Sequence, residues 1–266
     1  MAATGTSKTG QNVLLGAFLI GLGLTIAEAV GLLALPFSDG VLETAVLFLA
    51  LVSTLTSLSG QLPLQNVMLA GFIIGVIGGG IQLVGALTGI PFGPVVYTRD
   101  AGPQLFNSML WAIPFVWIIA ILNARGVARL IMRPWRKLRI YGYWVIGLTA
   151  LLVLVFDFGL EPYATYLKHY WFWRTTKLSF DWYGTPVSNF LGWLVTALLA
   201  LAFSTPSLMK KKPSKSALNY HPLIVWVALN ILFIASSFTQ RFWMAGTASA
   251  VMCTVVTAFA IRGANW

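Results

Sequence analysis

Stretches of about 20 predominantly apolar residues recur along the whole chain, and they restrict its fold more than any other feature. Each stretch is long enough to cross a bilayer core of about 30 Å as an α-helix, in which the backbone groups bond to one another. Eight spans are predicted, at roughly 13–36, 41–58, 65–88, 107–123, 141–157, 186–205, 221–239 and 242–261. The sequence therefore predicts an all-α, polytopic transmembrane helical bundle, with residues 1–266 as a single integral membrane domain.

The net charge of +10 comes largely from basic residues that are concentrated in two connections between spans. They are Arg125, Arg129, Arg133, Arg136, Lys137 and Arg139 in one connection, and Lys210, Lys211, Lys212 and Lys215 in the other. Cytoplasmic loops carry such an excess, and eight spans place both connections and both termini on the cytoplasmic side. The charges also suit anionic lipid headgroups. We therefore predict a lipid bilayer, and no nucleic acid, as the partner of this basic surface.

Cysteine and histidine are too sparse for most cofactor chemistry. The single cysteine, Cys253, excludes an intrachain disulfide and a thiolate metal cluster. His169 and His221 lie far apart and lack the spacing of a metal-binding pair. The sequence therefore predicts neither a metal site nor a cofactor.

All the acidic residues fall in the predicted outer connections or in the outer halves of spans. They are Glu28, Asp39, Glu43, Asp100, Asp157, Glu161 and Asp181. Glu28 is predicted roughly 12 Å below the outer end of the first span, and Asp157 closes the fifth. An ionisable residue within a span is a functional candidate by default, although Glu28 could instead hydrogen-bond a neighbouring helix. Asp39 and Glu43 suit a helix N-terminus and are predicted to be structural.

Two long outer connections stand out in composition. Residues 88–103, "TGIPFGPVVYTRDAGP", combine three prolines and three glycines with the Arg99–Asp100 pair. Residues 161–186 contain nine Phe, Tyr or Trp side chains in 26 positions, which is typical of a segment lying in the membrane interface or of a simple aromatic anchor. Beyond it, Asn189 and Trp193 are four residues apart and are predicted to share one helix face.

Four motifs within residues 65–205 resemble the membrane-bound carotenoid 1,2-hydratases, a family that includes the bisanhydrobacterioruberin hydratases. They are "TGIPFGPVVYT…GP" at 88–103, "DFGLEP" at 157–162, the tryptophans of 170–173 and "WYGTPVSNFLGW" at 182–193. The last is the most specific. The chain departs from the family at Val95, where a second aromatic residue is expected beside Tyr97. This difference bears on the choice of substrate.

The resemblance implies cofactor-independent addition of water to the terminal double bond of an acyclic carotenoid ψ-end, in a bacterial or archaeal cytoplasmic membrane. Such a reaction needs a carboxylic acid that is protonated near neutral pH, and burial away from water favours that form. Asp157 is the expected proton donor, with Glu28 and Glu161 as the other catalytic candidates. A second carboxylate or His169 would accept a proton from the attacking water.

The carotenoid is expected to lie in a groove near the outer membrane surface, where polyene and water can both arrive. Residues 88–103 would form a lid or re-entrant turn over this groove together with residues 161–186. The predicted substrate-binding residues are Phe92, Tyr97, Asp100, Trp171, Trp173, Tyr183, Asn189 and Trp193. Asp100 could instead form a surface pair with Arg99.

Three other functions are compatible with these features. A carotene cyclase makes a similar carbocation and captures it with an internal alkene. A non-enzymatic carotenoid-binding or assembly subunit would keep the groove and would not need the acids. A transporter is disfavoured, since the chain lacks a clear inverted repeat. The oligomeric state and contacts with other pathway enzymes stay open.

Overall fold

The computed structural model describes residues 8–34, 40–98, 102–174, 181–209 and 218–266, and these form an all-α bundle of long helices. The helices are α1 (Lys8–Ala29), α2 (Val41–Ser59), α3 (Leu64–Thr88), α4 (Ile113–Ile131), α5 (Tyr141–Pro162), α6 (Val187–Ser204), α7 (His221–Thr239) and α8 (Trp243–Ala264). Within the described ranges, eight helices are long and apolar enough to cross a membrane. The predicted polytopic helical fold is confirmed.

Helix α4 lies at the centre of the bundle. It packs against α2, α3, α5, α7 and α8, and it is the most buried of the described spans. Its small residues Ala120, Ala124 and Ala128 are fully or almost fully buried, which lets neighbouring helices approach closely. The other helices surround this axis and expose apolar side chains outward, as a bilayer requires.

The two ends of the bundle differ in charge. At one end, Arg125 donates to the Leu208 carbonyl at 3.0 Å and Arg133 donates to the Ala264 carbonyl at 2.8 Å, which ties α4 to the ends of α6 and α8. At the opposite end lie the described acidic residues, which are Glu28, Glu43, Asp157, Glu161 and Asp181. Asp39, Asp100 and the lysines at 210–215 lie outside the described residues.

Short strands join the connections at the acidic end. Strand β1 (Val95–Tyr97) pairs antiparallel with β4 (Trp171–Trp173), so the two long outer connections form one ladder. Strands β2 (Gln104–Leu105) and β3 (Met109–Leu110) form a hairpin, and β5 (Asp181–Trp182) pairs with β6 (Thr185–Pro186) just before α6. These strands therefore join the described parts of the connections at the acidic end.

Three predicted helix boundaries were wrong at this end, those of the fourth, first and fifth spans. The fourth span was predicted to begin at 107, but Phe106 and Asn107 have φ angles of 53° and 52° in the β2–β3 turn, which excludes a helix there. The first span was predicted to reach 36, but α1 ends at Ala29 before a turn at Gly31, where φ is 76°. Glu28 consequently lies in the last turn of α1, and not about 12 Å below the outer end of the span.

The fifth span also extends further than predicted. Helix α5 ends at Pro162 and not at 157, and it is followed by a π-helical turn at Tyr163–Leu167. A proline has no backbone N–H, so the Phe158 carbonyl lacks its helical partner. The indole of Trp182 donates to that carbonyl at 3.2 Å. This bond satisfies the carbonyl that Pro162 leaves without a helical donor.

Candidate functional site

Two buried carboxyl groups lie on one face of α5. Asp157 and Glu161 are four residues apart, a spacing that brings side chains together on a helix, and their exposed fractions are 0% and 1%. Asn189 of α6, also fully buried, faces both. Its amide nitrogen donates to Asp157 Oδ2 at 2.8 Å and to Glu161 Oε1 at 3.1 Å. One side-chain amide therefore holds the two carboxyl groups together.

Glu161 accepts hydrogen bonds from three further donors. The indoles of Trp171 and Trp173 donate to Oε2 at 3.2 Å and 2.9 Å, and the Thr185 hydroxyl donates to the same oxygen at 3.1 Å. Trp171 and Trp173 are alternate residues of β4, so their side chains leave the strand on the same face. The β1–β4 ladder and β6 thus supply preorganised donors that stabilise a carboxylate at Glu161.

Asp157 has a poorer environment for negative charge. Asn189 is its hydrogen-bond donor, and Oδ1 of Asp157 has no partner among the described residues. Within the part of the chain that the structure describes, no Lys, Arg or His forms an ion pair with Asp157 or Glu161. Two uncompensated carboxylates in an apolar interior are strongly unfavourable. We infer that at least one carboxyl group of the pair carries a proton.

A cavity of about 170 Å³ extends from this pair toward α1 and α2. Glu161 lines it together with Trp171, Trp173 and Trp193, whereas Asp157 and Asn189 stand behind Glu161 and do not reach the lining. Trp193 stacks on Trp117 with ring centroids 4.0 Å apart. The carboxyl group that faces the cavity is therefore surrounded by aromatic walls.

Tyr97 supports this wall from behind. Its ring meets the ring of Trp171 edge-on at 5.8 Å, and its hydroxyl accepts a hydrogen bond of 2.9 Å from Gln82, which lines the cavity. Burial, reinforced by the nearby Glu161 and Asp157, raises the pKa of the Tyr97 hydroxyl above its usual value. Tyr97 is therefore a neutral phenol that orients Trp171 and Gln82.

The structure brings together most, but not all, of the residues predicted from the sequence. Asp157, Glu161, Trp171, Trp173, Asn189 and Trp193 form one cluster, with Tyr97 beside it. Glu28 does not join the pair on α5, because its carboxylate lies 3.7 Å from the ammonium of Lys168. Asp100 lies outside the described residues.

Phe92 and Tyr183 have packing contacts away from the cavity. Phe92 is fully buried between α3 and α6, where a Cβ added at Gly85 or Gly192 would approach its ring to 2.5 Å. The Tyr183 hydroxyl accepts the backbone N–H of Ala245 at 3.3 Å, at the start of α8. Neither residue lines the cavity, because each is used to join helices.

Thr185 and Gln82 were not predicted as site residues from the sequence, and Glu43 was predicted to be structural. Glu43 lines the same cavity as Glu161. A signal for Thr185 existed, since it lies within the "WYGTPVSN" motif four residues before Asn189. Gln82, within the third hydrophobic run, was detectable as a polar residue inside a span.

Comparisons with known proteins identify the family of the chain. Residues 17–259 match the family described as "Carotenoid biosynthesis protein". A bisanhydrobacterioruberin hydratase of Haloarcula japonica is 30% identical over 186 residues, which cover 69% of this chain and 60% of that relative's length. The aligned region thus spans less than two thirds of the relative. No solved structure matches the chain significantly.

Proposed function

The chain belongs to the carotenoid biosynthesis protein family, and from that premise we propose that it hydrates the terminal double bond of an acyclic carotenoid ψ-end. The observation that carries this proposal is Glu161, a buried carboxyl group that lines an aromatic cavity and receives four hydrogen-bond donors. A membrane-embedded polyene with a trisubstituted terminal alkene suits such an apolar cavity. The similarity to a hydratase supports the same reaction.

In the first step, protonated Glu161 transfers its proton to the less substituted alkene carbon. The π electrons form the new C–H bond, and a tertiary carbocation remains on the neighbouring carbon. Glu161 becomes a carboxylate at the same moment. The Trp171, Trp173, Thr185 and Asn189 donors stabilise the charge that develops on its oxygens, and this lowers the barrier to proton transfer.

Asp157 has a different part in this proposal. It carries a proton throughout, so that the charge on Glu161 develops without a second negative charge beside it. Its sparse hydrogen bonding favours the neutral form, whereas Glu161 alternates between acid and carboxylate. We therefore propose Glu161 as the proton donor in place of Asp157, which the sequence had favoured.

The aromatic walls protect and stabilise the carbocation. Trp171, Trp173 and Trp193 line the cavity together with Glu161, and aromatic faces attract cations through their ring electrons. The Trp117–Trp193 stack keeps one of these rings in place. In the second step, water bonds to the carbocation and then loses a proton, which gives a tertiary alcohol.

Expression of the chain in a host that accumulates lycopene tests this function directly. We expect mass spectrometry of the extracted pigments to detect carotenoids that have gained one or two waters. A rearranged product of unchanged mass would instead identify a carotene cyclase. Unchanged lycopene that co-purifies with the protein would identify a carotenoid-binding or assembly subunit.

Replacement of Asn189 by leucine is expected to slow hydration by roughly 10- to 100-fold. The substitution removes the amide that binds Asp157 and Glu161, and a hydrogen bond to a charged group contributes about 1.5–3 kcal/mol. Initial rates on lycopene in vesicles measure the effect. Leu191→Ala is the control on the same helix, because Leu191 is 59% exposed on the outer face of α6. Equal rates for Asn189→Leu and Leu191→Ala would contradict the bridging role.

A further inference from the structure

The cavity that contains Glu161 is lined by a second carboxyl group on its α1–α2 side. Glu43 lies in the first turn of α2, and Thr25 of α1 and Thr44 of α2 line the cavity beside it. Gly40, at φ 96°, donates its backbone N–H to Glu43 Oε2 at 3.1 Å. This contact holds Oε2, while Oε1 is left for an ion pair.

Lys168 supplies the charge that balances Glu43. It follows the π-helical turn after α5, and its ammonium forms an ion pair with Glu43 Oε1 and lies 3.7 Å from Glu28 Oε2. The exposed fractions of the side chains are 14% for Glu43, 17% for Lys168 and 26% for Glu28. The cluster therefore extends from the cavity lining to the surface.

The two carboxyl groups of the cavity thus have opposite electrostatic settings. Glu161 is buried among neutral donors without a cation among the described residues, whereas Glu43 is paired with the ammonium of Lys168. A hydratase needs two different groups: an acid for the alkene and a base for the attacking water. Partial exposure also gives Glu43 access to water that Glu161 lacks.

We propose that Glu43 is the catalytic base, which binds the water that captures the carbocation and accepts its proton, with Lys168 as the residue that positions Glu43 through their ion pair. This inference rests on the hydration proposed above. The water oxygen donates a lone pair to the tertiary carbon and forms the C–O bond. One O–H bond of the resulting oxonium then breaks, and its proton passes to Glu43. Glu43 releases this proton to the aqueous side, and a water that reaches Glu161 through the cavity from the Glu43 side returns a proton to it, so the cycle balances.

A base separate from Glu161 favours capture of the carbocation by water over reversal of the proton transfer. After proton transfer, the Glu161 carboxylate lies near the carbocation and can remove a proton again, which regenerates an alkene. Water held by Glu43 on the α1–α2 side competes with this return. Loss of Glu43 should therefore block water capture and leave protonation by Glu161 intact.

Hydration in D₂O separates the two steps. Lycopene in lipid vesicles containing the purified full-length protein is incubated in D₂O buffer, and both the alcohol and the deuterium content of recovered lycopene are measured. We expect Glu43→Gln to lower alcohol formation by about 100-fold. Recovered lycopene should still gain deuterium. The rate of this gain should lie within about threefold of the summed rates of alcohol formation and deuterium exchange in the wild type. Retained exchange shows at the same time that the variant is folded.

Two results would overturn the assignment of Glu43. One is alcohol formation by Glu43→Gln within about threefold of wild type. The other is equal loss of alcohol and deuterium exchange in a variant whose elution and melting match those of wild type. If wild-type protein yields neither alcohol nor exchange, the hydratase function itself is wrong.

Two further variants complete the test. Glu43→Asp keeps the charge and shortens the side chain, so it should raise the ratio of exchange to hydration even if Glu43→Gln fails to fold; an unchanged ratio contradicts the proposal. Glu28→Gln removes the other carboxylate near Lys168 but does not alter the cavity lining. Glu28→Gln should leave the ratio of exchange to hydration at its wild-type value. If it changed this ratio as much as Glu43→Asp does, the effect would belong to the ion cluster as a whole, and the specific role of Glu43 would be wrong.

Discussion

Glu161→Gln is expected to abolish carotenoid hydration, with a loss of at least about 1,000-fold in rate. The amide cannot transfer a proton to the alkene, although it retains an oxygen that can accept from the Trp171 and Trp173 indoles. Deuterium exchange into recovered lycopene should disappear together with the alcohol, because both begin with the same proton transfer. Pigment analysis and the D₂O assay measure the two losses.

Asp157→Asn is the matched comparison for this prediction. The amide resembles the neutral carboxylic acid that we propose at this position, and its oxygen can still accept the Asn189 hydrogen bond. We therefore expect a decrease of only about tenfold, in keeping with a residue that supports the reaction without transferring the proton. If Asp157→Asn were inactive and Glu161→Gln active, Asp157 would be the donor.

Phe92→Ala is expected to produce the largest loss of stability, about 3–5 kcal/mol, because it empties a fully buried aromatic site. The ring fills the space between Gly85 of α3 and Gly192 of α6, and neither glycine has a side chain to replace it. Phe92 also precedes β1, so its loss should loosen the ladder that positions Trp171 and Trp173. Thermal unfolding in detergent, followed by circular dichroism, measures the change.

Phe172→Ala provides the control for this substitution. Phe172 is an aromatic residue of β4, but it is 51% exposed and lies on the strand face opposite Trp171 and Trp173. Its removal should change stability by less than about 0.5 kcal/mol. Similar destabilisation by both variants would mean that Phe92 has no special packing role.

The helical fold could be predicted from the sequence because a bilayer imposes a strict length and polarity on each span. The helix boundaries at the acidic end were predicted less well. Asp157 and Glu161 would have been recognised as neighbours on one helix if the predicted fifth span had been extended past 157. In the structure α5 ends at Pro162, and the Trp182 indole, from a distant segment, satisfies the Phe158 carbonyl that the proline leaves without its helical donor.

The sequence predicted most of the residues of the candidate site, but it did not predict how they are arranged around the cavity. The motifs identified Glu161, Asn189 and the tryptophans, yet sequence patterns do not state which carboxyl group faces a cavity. Glu43 was assigned to a helix N-terminus, and it does interact there with the Gly40 backbone. Glu43 also lines the cavity and pairs with Lys168, and this pairing joins segments more than 100 residues apart in the chain.

The pairing of β1 with β4 has a consequence for protein engineering. Val95, the departure from the expected aromatic pattern, lies opposite Trp173, whose indole binds Glu161. A chimera that imports only the 88–103 segment of a homologue would place foreign side chains against a native partner strand. End-group preference should therefore transfer between homologues only when residues 88–103 and 161–186 are exchanged together.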